Sequence, residues 1–110
     1  TNSLPRSLSL KSRLDITRLL QNGQRFAGNS FVLRWQPADE FRYAILVGRK
    51  HGPAALRNRI KRLYREAIRL HRHRLPTTGK VLILPGRIDK GIEFRAIEAD
   101  VCRIFERVGR

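Results

Sequence analysis

The stretch AALRNRIKRLYREAIRLHR, residues 54 to 72, carries six arginines, one lysine and a single acid, Glu66. Guanidinium groups at this density suit one chemistry above others: forked hydrogen bonding to phosphate oxygens and stacking on bases, which an ammonium cannot reproduce. Wound at about 100° per residue, the stretch gathers Leu56, Ile60, Leu63, Ala67 and Leu70 into one narrow arc, the expected buried side. Lys61, Arg62, Arg65, Arg69 and Arg72 fall opposite, with Asn58 among them and Glu66 on a flank. A solvated helix face usually alternates Glu with Lys, because i,i+4 pairs of opposite sign stabilise it by about 0.2–0.5 kcal/mol and like charges cost as much. Here Lys61/Arg65 and Arg65/Arg69 repel one another, a cost that a facing polyanion removes. Arg57, Asn58 and Arg59 occupy the first turns, where the helix dipole also favours an anion. Taken alone, Asn58 equally fits a helix-interior residue hydrogen-bonded locally.

Other chemistries find less support. His71 and His73 are two apart and diverge by roughly 200° on a helix, so they do not make a general acid/base pair there. His51 stands alone before the helix, and the nine acidic residues are scattered without the clustered carboxylates of a two-metal nuclease. Cys102 has no thiol partner and the histidines lack zinc-ligand spacing, so no catalytic residue and no metal site is expected in the chain. Trp35 could stack on a base, but it shares a strand face with Phe31 and Leu33 and reads as core.

The whole chain has the same electrostatic character. In 110 residues, 24 Lys and Arg against 9 Asp and Glu give a formal charge of +15, far beyond what solubility requires. Nucleic acid, an anionic membrane surface and an acidic protein are the possible partners. A membrane-surface helix would need bulky apolar residues exposed beside its basic face, whereas the apolar arc here is needed for a core. No apolar run nears the roughly 20 residues of a membrane span, and the first 13 residues lack the apolar block of a signal peptide. With one cysteine as well, the expectation is a soluble, cytoplasmic protein with no membrane contact. Thr1 in place of an initiator methionine suggests a trimmed or processed chain.

Placing the basic helix requires the other elements. Residues 1–110 read as a single nucleic-acid-binding domain with 1–9 as a flexible leader. Ser12 and Asp15 have capping-box spacing, and Asn22-Gly23 supplies a left-handed stop, which predicts a helix of about ten residues with Ile16, Leu19 and Leu20 on one stripe. FVLRWQ (31–36) and FRYAILVGR (41–49), joined by PADE, read as an antiparallel hairpin. Period two assigns Phe31, Leu33, Trp35, Tyr43, Ile45 and Val47 to the core. Val32, Arg34, Arg42, Ala44, Leu46 and Gly48 take the other face, which is either covered by the first helix or left as a shallow groove. The basic helix starts at Pro53, runs to about His73 and stops before Pro76; KVLILPG (80–86) reads as an inner strand, parallel to the one before the helix. A last helix over about 92–108 carries the stripe Phe94, Ile97, Val101, Ile104 and Val108. The expected order is αββαβα, an α+β sandwich of three helices on a small sheet.

RNRIKRLYREAIR (57–69) resembles the signature of the bacterial ribonuclease P protein subunit, the small basic partner of a catalytic RNA that removes the 5′ leader of precursor tRNA. LKSRLDITRLLQNGQRFAGNSFVL (10–33), RYAILVGRK (42–50) and KVLILPGR (80–87) extend the resemblance over the chain from Leu10. It implies a two-layer, ribosomal-protein-S5-domain-2-like or ferredoxin-like fold with a left-handed βαβ crossover, against the general right-handed rule. It further implies that the signature helix faces the catalytic RNA through Arg57, Asn58, Arg59, Lys61, Arg62, Arg65 and Arg69. A cleft between the first helix and the open sheet face would take the precursor's leader, along Lys11, Ile16, Leu20, Val32, Arg34, Leu46, Gly48 and Lys50. Relatives commonly carry aromatic residues where this chain has Ile16 and Leu20, and serines where it has Leu46 and Gly48. Ile16, Leu20, Val32 and Leu46 therefore have a second reading, as a small second core. The implied partners are ribonuclease P RNA and precursor tRNA, with the protein monomeric in the ribonucleoprotein and Mg2+ held mainly by the RNA, where the chemistry occurs. A ribosomal or general RNA-binding protein with no part in tRNA processing is the alternative.

Overall fold

The computed structural model describes residues 8–86 and 94–109. In chain order these form α1 (Arg13–Asn22), β1 (Gln24–Ala27), β2 (Phe31–Gln36), β3 (Phe41–Ile45), α2 (Ala54–His71), β4 (Gly79–Pro85) and α3 (Phe94–Val108). Short 3-10 turns at Arg49–His51 and Arg72–Arg74 flank α2. Most of the expected leader and the expected first residues of the last helix, 92 and 93, lie outside the described residues.

Ser12 caps α1 as its spacing predicts, its hydroxyl accepting from the Asp15 N–H at 3.3 Å. The left-handed stop is not formed, because Gly23 has φ −67° and ψ 147°, extended backbone open to any residue. Glycine is needed there for close approach instead: a Cβ would sit 2.4 Å from the Leu19 carbonyl oxygen, to which the Gly23 N–H donates at 2.9 Å.

The sheet order is β1-β2-β4-β3, with β1–β2 and β2–β4 antiparallel and β3–β4 parallel. The inner strand and its parallel partner are as expected, but the hairpin between 31–36 and 41–49 is not made, because β4 lies between the two strands. Residues 37–40 arch over the start of β4, where the Gly79 N–H donates to the Glu40 carbonyl at 3.2 Å. Crossing two strand spacings takes about 10 Å, and four residues reach about 13 Å, so PADE fits a split pair as well as a hairpin. The true hairpin joins β2 to β1, a strand missed because QRFA has a single strong strand former, Phe26. The order is thus αβββαβα.

Alternation along the strands builds two apolar clusters. On one face Phe26, Phe31, Leu33, Phe41, Tyr43, Val81 and Ile83 pack with α2 and α3. On the other, Leu82 packs with Leu19 of α1 and with Leu10, joined by half-buried Ile16, Ala44 and Leu84. Trp35, Ile45 and Val47 lie at the edge of the larger cluster, as their strand parity requires.

The buried side of α2 is Ile60, Tyr64, Ala67 and Ile68, a rotation of roughly 60° from the aliphatic arc read in the sequence. Leu56 and Leu63 are only half buried, and Leu70 is 38% exposed. Contact with α3 on one side and the sheet on the other fixes this phase, and Tyr64 packs edge-on against Phe31 with ring centroids 5.5 Å apart, its hydroxyl 3.4 Å from Ser30 Oγ. In α3 the expected stripe is buried apart from half-buried Phe94, with Asp100 and Phe105 added.

Candidate nucleic-acid interface

Packing Ile60, Tyr64, Ala67 and Ile68 inward turns Asn58, Arg59, Arg62 and Arg65 to solvent, while Arg57 and Lys61 lie half buried on one flank. Among the described residues no ion pair reaches Arg57, Arg59, Lys61, Arg62 or Arg65. Arg69 differs from the cationic face expected of it: its Nε donates to a Glu66 carboxylate oxygen at 3.0 Å, and this bond lowers the Glu66 carboxyl pKa. The free cations therefore lie in the first twelve residues of α2, from Arg57 to Arg65. Pro53 provides no side-chain cap, which leaves the first N–H groups of α2 available to an anion. Nε of Arg57 is buried without a hydrogen-bond partner.

The second surface lies on the α1 side of the sheet. One row across the strands is Arg25, Arg34, Leu82 and Ala44; the next is Ala27, Val32 and Leu84. Leu46 extends that second row, its N–H donating to the Ile83 carbonyl at 2.9 Å. Ile16 turns into the smaller cluster with Leu10, Leu19 and Leu82, as its alternative reading holds. Leu20 at 38% and Leu46 at 42% exposure stay open, with half-buried Val32 outside that cluster. A Cβ on Gly48 would meet nothing within 4 Å, and Lys11 and Lys50 are exposed. Arg34 Nη1 donates to the Gly23 carbonyl at 3.0 Å, while its Nε is buried without a partner. The result is an open apolar strip beside α1 with cations around it.

Three residues that composition and periodicity did not single out make polar contacts that join distant parts of the fold or hold a turn. Asp100 accepts from the Asn29 N–H at 3.1 Å, the Ser30 N–H at 2.8 Å, the Ser30 hydroxyl at 2.7 Å and Arg103. Burial alone would raise its pKa, but these hydrogen bonds outweigh it and the carboxyl is held low. An acid inside the buried stripe of α3 was the available signal. Burial pushes the Tyr64 hydroxyl up to about 12, so it stays neutral beside Ser30. His51, 4% exposed, bonds through both ring nitrogens, and nothing in its sequence neighbourhood marks it.

The remaining histidines, His71 and His73, meet at the end of α2. The tightening of α2 into a 3-10 turn at Arg72 brings the His71 and His73 rings to 6.4 Å, closer than regular helix spacing implies. Arg74 Nε donates to His71 Nδ1 at 3.2 Å, which leaves the ring proton on Nε2, 3.0 Å from Glu98. Among the described residues no group of three or more His, Cys, Asp or Glu is arranged to hold a metal, and no helix is long and apolar enough to cross a membrane.

The family model described as "Ribonuclease P" matches residues 4–109. The ribonuclease P protein component of Dictyoglomus thermophilum is 34% identical over 111 residues, covering 97% of this chain and 92% of that protein. Its Desulfovibrio desulfuricans counterpart is 30% identical, with 97% and 87% covered. Among solved structures, the ribonuclease P protein of Staphylococcus aureus superposes with TM-score 0.79 at 25% identity over 91% of this chain and 94% of that one. For the Thermotoga maritima protein the TM-score is 0.77 at 24% identity, with 90% and 96% covered, a likeness of fold.

Proposed function

We propose, from the premise that this chain belongs to the ribonuclease P protein family, that it binds two RNAs at once: the catalytic RNA through α2 and the 5′ leader of precursor tRNA through the strip beside α1. The observation that carries this is the segregation of surfaces. Asn58, Arg59, Arg62 and Arg65 form an uncompensated cationic face, while Val32, Leu20 and Leu46 form an open apolar floor rimmed by Lys11, Arg34 and Lys50. The first suits the phosphates of a folded RNA; the second suits unstacked bases above a charged rim, as in single-strand binders.

The chain's share of the reaction is electrostatic. Neutralising phosphates on both RNAs lowers their mutual repulsion and releases counterions, which strengthens precursor binding and relaxes the need for free Mg2+. On this reading Mg2+ is held by the RNA, where it would activate water for hydrolysis of the phosphodiester, and the chain supplies charge rather than a catalytic group. Adding the purified protein to a bacterial ribonuclease P RNA at low Mg2+ tests this. Stimulated cleavage at the mature 5′ end of a precursor tRNA is the expected result, and binding of RNA without stimulation favours a general RNA-binding role instead.

A further inference from the structure

The segment between β3 and α2 has no long element to hold it, yet it separates the two RNA surfaces. It is organised by one imidazole. The Gly48 N–H donates to His51 Nδ1 at 3.0 Å, so that nitrogen carries no proton, and Nε2–H donates to the Pro85 carbonyl at 2.8 Å. The His51 N–H closes the turn onto the Gly48 carbonyl at 2.9 Å, and Gly52, at φ +103°, redirects the chain into Pro53 and α2. Pro85 follows Leu84 of the apolar row, and Gly48 follows Leu46 two residues on. Three residues beyond His51, the helix carrying Arg57, Asn58 and Arg59 begins. Along the same rim the Gly86 N–H donates to the Ser30 carbonyl at 2.8 Å, and the Tyr64 hydroxyl of α2 lies 3.4 Å from that oxygen.

We propose that His51 is a positioning residue that couples the two surfaces: by joining Gly48 to Pro85 it fixes the edge of the leader strip relative to the start of the signature helix. This rests on the two-RNA function proposed above. Without the imidazole, the segment from Leu46 to Pro53 keeps backbone freedom that must be lost when both RNAs dock, and that ordering cost falls on the second binding event. An aliphatic residue could fill the space but would leave the Gly48 N–H and the Pro85 carbonyl short of a partner.

The test uses the full chain reconstituted with a bacterial ribonuclease P RNA, and reads the preference for leader-bearing precursor tRNA over mature tRNA. His51→Leu is expected to lower this preference about five- to tenfold, through KM rather than kcat. His51→Gln, whose amide N–H can reach for the Pro85 carbonyl, is expected to recover most of it. A wild-type preference in His51→Leu, even with a lowered melting temperature, overturns the proposal, because the ring would then serve stability alone. Should His51→Leu fail to fold, His51→Asn keeps an acceptor for Gly48 and loses the Pro85 bond; an unchanged preference there overturns the proposal equally. Absence of leader preference in the wild type overturns the functional reading, and the coupling with it.

Discussion

Asp100 and Ser30 lie 70 positions apart in the chain and meet twice, the Asp100 carboxylate accepting from the Ser30 N–H at 2.8 Å and from its hydroxyl at 2.7 Å. The carboxylate thereby pins the β1–β2 turn to α3, and it explains Gly28, where a Cβ would lie 2.7 Å from Oδ2. Asp100→Asn removes the charge and replaces an acceptor oxygen by a donor facing donors, so a loss of about 2–3 kcal/mol is expected in denaturant unfolding. The pH dependence has a definite sign. The folded carboxyl titrates below its unfolded value of about 4, so its contribution is complete above that pH and is lost as pH falls through the folded value. Wild type should lose stability on acidification below about pH 4 more steeply than Asp100→Asn, as read from melting temperature against pH.

The charge on α2 is tested by salt. Arg62→Ala and Arg65→Ala should each weaken binding of the catalytic RNA and reduce the magnitude of the salt slope by about one unit. An unchanged slope in both would remove α2 from the interface.

Arg69 is held by Glu66, so its charge is already partly spent. Arg69→Ala should reduce the slope by less than either outward arginine does. Glu66→Gln should act in the opposite sense, freeing Arg69 and steepening the salt dependence. Equal effects from Arg62→Ala and Arg69→Ala would show that the ion pair opens when RNA binds.

For the leader strip, Arg34→Ala and Leu46→Ala should weaken precursor tRNA binding while leaving mature tRNA nearly unaffected. Leu46 is exposed enough that its truncation should cost at most about 0.5 kcal/mol of stability, which separates binding from folding. Arg34→Ala also releases the Gly23 carbonyl, so it should show both losses. Equal loss of affinity for the two tRNAs would sink the leader assignment.

Gly79 begins β4 at φ +137°, and a Cβ there would lie 2.5 Å from Trp35 Nε1. Gly79→Ala is expected to cost about 2 kcal/mol or more, from backbone strain and displacement of the indole together. Denaturant midpoints measure this, and a neutral substitution would mean that Trp35 moves freely.

The reach of the sequence followed the range of the physics behind each feature. Ser12 capping α1, the helical span of α2, the amphipathic stripe of α3 and the apolar run of β4 are local patterns, decided by spacing within a few residues, and the structure keeps them. The net charge and the crowding of arginine after Pro53 also needed no fold, because an excess of +15 demands a polyanion however the chain is arranged. Only the tertiary structure decided that β4 enters between β2 and β3, since a four-residue connection satisfies either arrangement. It decided the phase of α2 as well, because Tyr64 and Ile68 are buried by packing against α3 and the sheet, Phe31 included, rather than by anything within the helix. Asp100 reaching Ser30 and His51 reaching Pro85 are bonds between residues 70 and 34 positions apart. No periodicity encodes such contacts: each is favourable only after burial has excluded water from both partners, and burial is a property of the assembled layers.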